Sequence, residues 1–141
     1  MPRDVEAVEV IIDALDTGIH DAVQAHRTIT EVLVRELGIG YGAVWLPGPD
    51  GAFHLQGEWG DLAPAIKATP GGRITSMNSA DGYAGLAIRN RRTVVADAAS
   101  DNGDCARWAG ARSAGARRGC VLPLIEDGAV AALYELSLIH I

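Results

Sequence analysis

The sequence predicts an α+β fold: a mostly antiparallel sheet with helices packed on it, led by an N-terminal helix pair. Three observations predict it. A helical periodicity fills the first 37 residues, short β-rich runs broken by turn residues follow, and the last two runs flank an Asp127-Gly128 turn. The 141-residue length suits one domain with one core, and 48% apolar against 21% charged residues is a globular balance.

Val5, Val8, Ile12, Leu15, Ile19, Ala22, His26, Ile29 and Leu33 recur in steps of three and four, which puts them on one helix face. Gly18 interrupts the run, so two helices are expected, near 4–17 and 21–37. Asp21 suits the start of the second and the glycines of "LGIG", 37–40, suit its end. The first helix fits either an amphipathic helix lying on its own sheet or a seam to a second copy; a homodimer through the terminal helices is the expectation. "YGAVWL", 41–46, reads as a strand, "PGPDG" as a turn and "AFHLQGEW" as the returning strand. A short helix follows over 61–68, with Pro64 in its first turn. Residues 71–79 read as an extended or loop segment, 81–92 as helix, 93–97 as strand, and 101–115 as a loop with a small helix. The hairpin around Asp127-Gly128 completes the order.

The net charge of −6 leaves no basic footprint for nucleic acid across the chain. The charge is uneven: the N-terminal third is acidic, and 89–118 carries Arg89, Arg91, Arg92, Arg107, Arg112, Arg117 and Arg118. That stretch fits a solvated face or a site for an anion or partner. Cys105 and Cys120 form no CxxC and join no zinc-spaced His/Cys cluster, which suits reduced thiols in the cytoplasm. No apolar run approaches the ~20 residues of a membrane span, and no membrane contact is expected. "LSLIHI", 136–141, resembles the translation of a sequencing-library adaptor. On that reading the natural chain continues beyond about Glu135, and a missing output module follows. The division is then 1–17 as a linker helix, 18–135 as a domain incomplete at its C-terminal end, and 136–141 as foreign; a genuine final strand is the other reading.

Three segments carry a family resemblance: "LGIGYGAVWLPGPDG", "GYAGLAIRNRRTVVADAAS" and "SAGARRGCVLPLIEDGAVAALYEL". Together they resemble the GAF family of small-molecule sensor domains, from about Asp13 to Glu135. "GIGYGAVW", the Asp104-Cys105 pair and Cys120 are similar to GAF domains that precede methyl-accepting chemotaxis signalling regions. The resemblance implies a ligand between the sheet and the segments 59–83 and 101–118. It also implies a non-catalytic sensor that relays binding or redox state to an output module. A chemotaxis receptor is the first choice of output, and a histidine kinase or diguanylate cyclase the next.

The candidate ligand-binding residues are Trp45, Trp59, Tyr83, Cys105, Arg107, Trp108 and Cys120. The tryptophans offer flat walls or core filling, with Trp59 expected to lead into the pocket loops. Arg107 offers a bidentate fork for a carboxylate or phosphate, or a surface charge. Cys105 and Cys120 offer a redox pair or two inert thiols. His26 falls on the apolar face of the second helix, and His54, on the second strand, is the better placed of the two for haem. Bilin-binding relatives carry a Cys next to a His, whereas Ala106 follows Cys105 and Val121 follows Cys120. Neither haem nor bilin is therefore expected, and the cofactor is left open. The alternative reading is a GAF-fold thiol enzyme such as free methionine sulfoxide reductase. Against that family's cysteine set, Cys105 lies far upstream of "VLPL" and the earlier cysteines are missing.

Overall fold

The computed structural model describes residues 2–16, 21–99 and 104–139. The Gly18 break, His20, His140 and residues 101–103 lie outside them. Helix α1 runs Pro2–Asp16 and α2 runs Ala22–Leu37. Asp21 caps α2, its carboxylate accepting the Gln24 N–H at 2.7 Å, and Gly38 ends it in the left-handed conformation.

Strands β1 (Tyr41–Pro47) and β2 (Phe53–Trp59) form the first hairpin, and helix α3 (Ala63–Lys67) follows with Pro64 in its opening turn. The segment read as extended or loop holds a 3₁₀ turn, Gly71–Arg73, and a two-residue strand, β3 (Ser76–Met77). Helix α4 (Gly82–Asn90), strand β4 (Val94–Asp97), helix α5 (Ala106–Ser113) and the hairpin β5 (Arg118–Glu126) and β6 (Ala129–Leu138) complete the chain. Asp127 and Gly128 both have positive φ, 51° and 80°, as an Asp-Gly hairpin turn requires. The six strands form one sheet in the order β3-β2-β1-β6-β5-β4, and all the pairs are antiparallel. Residues 136–138, expected to be foreign to the fold, are the end of β6: Leu136 pairs Gly42 and Ser137 pairs Tyr41.

Register divides the sheet into two faces, because cross-strand partners share a face and neighbours along a strand do not. Tyr41, Ala43 and Trp45 lie opposite Ser137, Glu135 and Leu133, and Glu135 and Ser137 lie opposite Val121 and Gly119. This face builds the main core with Ile66 of α3, Ala84 and Ala87 of α4 and Trp108 and Ala111 of α5. The other face carries Gly42, Val44, Ala132, Tyr134 and Leu136, and α2 lies across it. A Cβ on Gly42 would sit 2.5 Å from Val34 Cγ2, so the missing side chain lets α2 approach the sheet.

Helix α1 packs on α2 rather than on the sheet. Its expected apolar stripe is not its buried side: Val5, Val8 and Ile12 are 55%, 54% and 51% exposed, whereas Ala7 is buried. A small residue allows close helix approach, so the Ala7 side makes the contact and the larger residues face outward.

Candidate functional site

The core face of the sheet is hollow beneath α4 and α5. An inner cavity of about 30 Å³ is bordered by Tyr83, Ala84, Cys105, Arg107, Trp108 and Ser137, among others. A larger cleft of about 430 Å³ runs between Ile74–Gly82 and Asp104–Arg107. Cys105 and Arg107 line both, so they stand where the cleft meets the inner cavity.

Local backbone brings the two walls together. Gly82 has φ +53°, and a Cβ there would lie 2.7 Å from the Cys105 sulfur. Gly71 packs against the first turn of α5, where a Cβ would sit 1.9 Å from the Ala106 carbonyl oxygen. Glycine is required at both positions, at Gly82 by conformation as well as by space.

Arg107 is buried, and its guanidinium makes four hydrogen bonds to the described residues. Nη2 donates to Glu135 Oε1 at 2.8 Å and to the Tyr41 hydroxyl at 2.8 Å, and Nη1 donates to the Gly71 carbonyl at 3.2 Å. Its Cζ stands 5.1 Å from the Trp45 ring centroid, and Trp45 Nε1 donates to Glu135 Oε1 at 2.7 Å. Tyr41 donates in turn to Glu58 at 2.5 Å, and Lys67 at the rim pairs with Glu58 at 3.2 Å. The chain of contacts therefore reaches from the solvent edge of α3 through β1, β2 and β6 to α5. Burial opposes the charge on Arg107, but the Glu135 carboxylate and the Tyr41 oxygen outweigh it and hold the guanidinium protonated. Burial pushes the Tyr41 phenol upward; Arg107 opposes this, and Glu135 and Glu58 reinforce it.

Trp108 is buried against Gly119, and its indole N–H has no hydrogen-bond partner among the described residues. Leaving such a donor unpaired costs about 1–3 kcal/mol.

The structure brings four of the expected site residues together: Tyr83, Cys105, Arg107 and Trp108. The other three differ. Trp45 is buried in the core and borders neither cavity; it holds Glu135 in place. Trp59 belongs to the opposite face, beside Val44 and Tyr134, with Arg27 Cζ 5.6 Å from its ring. Its neighbour Glu58 is the residue that reaches the core face, so strand alternation carries Trp59 away from the pocket. Cys120 borders the inner cavity through its strand, but its side chain lies on the α2 side. Gly119 and Val121 turn inward, and the Cys120 partners Val95 and Leu136 are on the far face. There it lines an apolar groove with Ile39, Val95 and Leu138, and burial raises its thiol pKa. The two thiols are thus on opposite sides of the sheet, which removes the expected redox pair. Arg107, expected as a surface charge or a free anion clamp, is already paired to Glu135.

Sequence reasoning missed Glu135, Tyr41 and Glu58. Glu135 left one signal, a carboxylate inside the apolar run "AVAALYEL", at an inward position two residues from Leu133. Of the histidines, Nδ1 of His26 meets the Tyr134 hydroxyl beneath α2, and His54 pairs with Asp50 at 2.9 Å at the tip of the first hairpin. Neither borders the inner cavity or the cleft.

The fold is that of GAF domains. A GAF domain of A. aeolicus in an inactive state superposes with a TM-score of 0.66 at 12% identity, over 96% of this chain and 80% of that one. The GAF domain of a phosphoenolpyruvate-protein phosphotransferase from Coxiella burnetii gives 0.69 at 14% identity, over 96% and 77%. A free methionine-R-sulfoxide reductase from Neisseria meningitidis, solved in complex with its substrate, gives 0.70 at 22% identity, over 96% and 74%. No protein-family model and no curated protein matches the chain. The expectation of a non-catalytic domain is corrected here: the same fold serves as an enzyme in the third of these proteins, so it gives no ground for excluding catalysis. No helix among the described residues is long and apolar enough to cross a membrane.

Proposed function

We propose that the chain is a GAF-fold thiol reductase of a small sulfoxide, acting through Cys105. The observation that carries this reading is the position of Cys105 at the junction of cleft and inner cavity, on the face that the helices roof. The cleft has the volume of a small-ligand site, and Asp81 and Asp104 on its wall are suited to a ligand ammonium group. The fold's likeness to a methionine-R-sulfoxide reductase supports the choice of chemistry.

In the reaction, the Cys105 sulfur attacks the sulfoxide sulfur. Oxygen passes to cysteine, two electrons pass to the substrate, and the products are a Cys105 sulfenic acid and the sulfide. With Cys120 on the opposite face, the resolving thiol comes from outside. An external dithiol returns Cys105 to the thiol, leaving as its own disulfide with release of water. This accounts for a chain that lacks the further cysteines of the reductases it resembles. The test is methionine formation from methionine sulfoxide with a dithiol. Cys105→Ser should abolish turnover and Cys120→Ser should leave it within about twofold. Absence of turnover in the wild-type chain, or turnover that survives Cys105→Ser, refutes the reading.

A reporting role for the same pocket is favoured by the Arg107 network, which ties the cleft floor to β1 and β6. A ligand that shifted Arg107 would bind one arrangement of those strands better than another. The exposed Val5, Val8 and Ile12 stripe then offers a homodimer contact toward an output module of the chemotaxis, histidine kinase or diguanylate cyclase type. Sedimentation of Val8→Asp beside the wild-type chain tests the contact; equal monomer fractions would exclude it.

A further inference from the structure

We infer that the inner cavity is an oxygen subsite, in which the Trp108 indole N–H donates to the sulfoxide oxygen of the substrate. The inference rests on the reductase reading and adds to it the residue that distinguishes sulfoxide from sulfide. Three observations support it. Trp108 is 5% exposed, lines the inner cavity, and has a buried N–H with no partner among the described residues. The cavity, about 30 Å³ against about 430 Å³ for the cleft, is much the smaller of the two, so the body of a ligand belongs in the cleft and only a small group reaches the indole. It meets the larger cleft at Cys105, so an oxygen inside it belongs to a molecule whose body lies in the cleft.

Electrostatics selects the kind of oxygen. The Arg107 charge is neutralised by Glu135 at 2.8 Å, and both side chains border the cavity. A carboxylate or phosphate entering there would meet the Glu135 charge with no spare cation to offset it. A sulfoxide oxygen is a strong acceptor without net charge, and it satisfies the indole without that penalty. A sulfide has no such oxygen and leaves the N–H unpaired. Sites with a buried donor reject the analogue lacking the acceptor, because the donor is then stranded.

The test uses the ¹⁵N-labelled full chain carrying Cys105→Ser, so that substrate binds without turnover. The Trp108 indole resonance is identified by its absence in a Trp108→Phe version. Methionine sulfoxide should move that resonance downfield, and methionine should leave it in place. Trp108→Phe should weaken sulfoxide binding about tenfold and leave methionine binding unchanged. A resonance that sulfoxide does not move, or that methionine moves equally, overturns the oxygen subsite even if wild-type turnover is intact. A resonance that moves as expected while the wild-type chain fails to produce methionine leaves the subsite standing and refutes the reductase reading. Should Trp108→Phe not fold, assignment through the backbone supplies the same resonance in the Cys105→Ser chain, and the shift alone decides.

Discussion

Replacing Glu135 by Leu should cost more stability than any surface change, and removing Arg107 at the same time should restore most of it. Glu135 is 9% exposed and accepts from Arg107 Nη2 at 2.8 Å, from Arg107 Nε at 3.4 Å and from Trp45 Nε1 at 2.7 Å. Losing the carboxylate strands a buried guanidinium, which costs about 3–5 kcal/mol, and orphans the Trp45 N–H, worth about 1–3 kcal/mol more when taken alone. The groups share one network, so the two figures overlap, and about 4 kcal/mol is expected for the single variant. Native domains hold about 5–15 kcal/mol in all, so the variant should lie near the edge of folding. Arg107→Met should cost a similar amount by leaving Glu135 unpaired. The double variant puts apolar groups of similar bulk in both places and loses chiefly the Trp45 bond, so about 1–2 kcal/mol is expected. Urea unfolding followed by tryptophan fluorescence gives the three values, compared at constant slope. If the double variant loses the sum of the two single losses, the pair is not coupled and the network reasoning fails.

Alkaline stability should track Tyr134. Its phenol, buried and set against Glu126, is pushed up to about 12. The folded chain therefore holds that proton more tightly than the unfolded one. The contribution is complete below the unfolded value near 10 and is lost as pH rises to about 12. Urea midpoints from pH 9 to 12 should fall, and Tyr134→Phe should flatten the fall. Gly82→Ala should destabilise the chain by about 1–2 kcal/mol through its positive φ and push the new methyl against Cys105; slower thiol labelling at Cys105 is the check. Mild oxidation should not join Cys105 to Cys120, because the sheet separates them; an intramolecular disulfide found by mass mapping would show the register to be misread.

Much of the architecture was legible because it is local. Helix periodicity, the Asp21 cap, the Gly38 end and the Asp127-Gly128 turn depend on residues a few positions apart, and the elements follow from them. Cys105, Arg107 and Trp108 lie within one turn of one helix start, so their association was also legible. Which side chains meet across the sheet was not. Trp59 and Cys120 went to the wrong face in the sequence reading because alternation turns a one-residue difference into opposite sides, and pairing with β1 for Trp59 and with β4 and β6 for Cys120 decides which side is which.

The order of the longer elements, the antiparallel hairpins and the helix that carries the thiol follow from the amino-acid sequence alone, since each is set by short-range backbone preference and by the spacing of apolar residues. Folding in three dimensions was needed to set Arg107 on Glu135 rather than leave it open to an anion, to part the thiols and to leave the Trp108 N–H without a partner among the described residues. Those outcomes depend on contacts between residues far apart in the chain, such as Arg107 with Glu135, 28 positions on, and Cys120 with Val95 and Leu136, and such contacts exist only once the strands have chosen their neighbours.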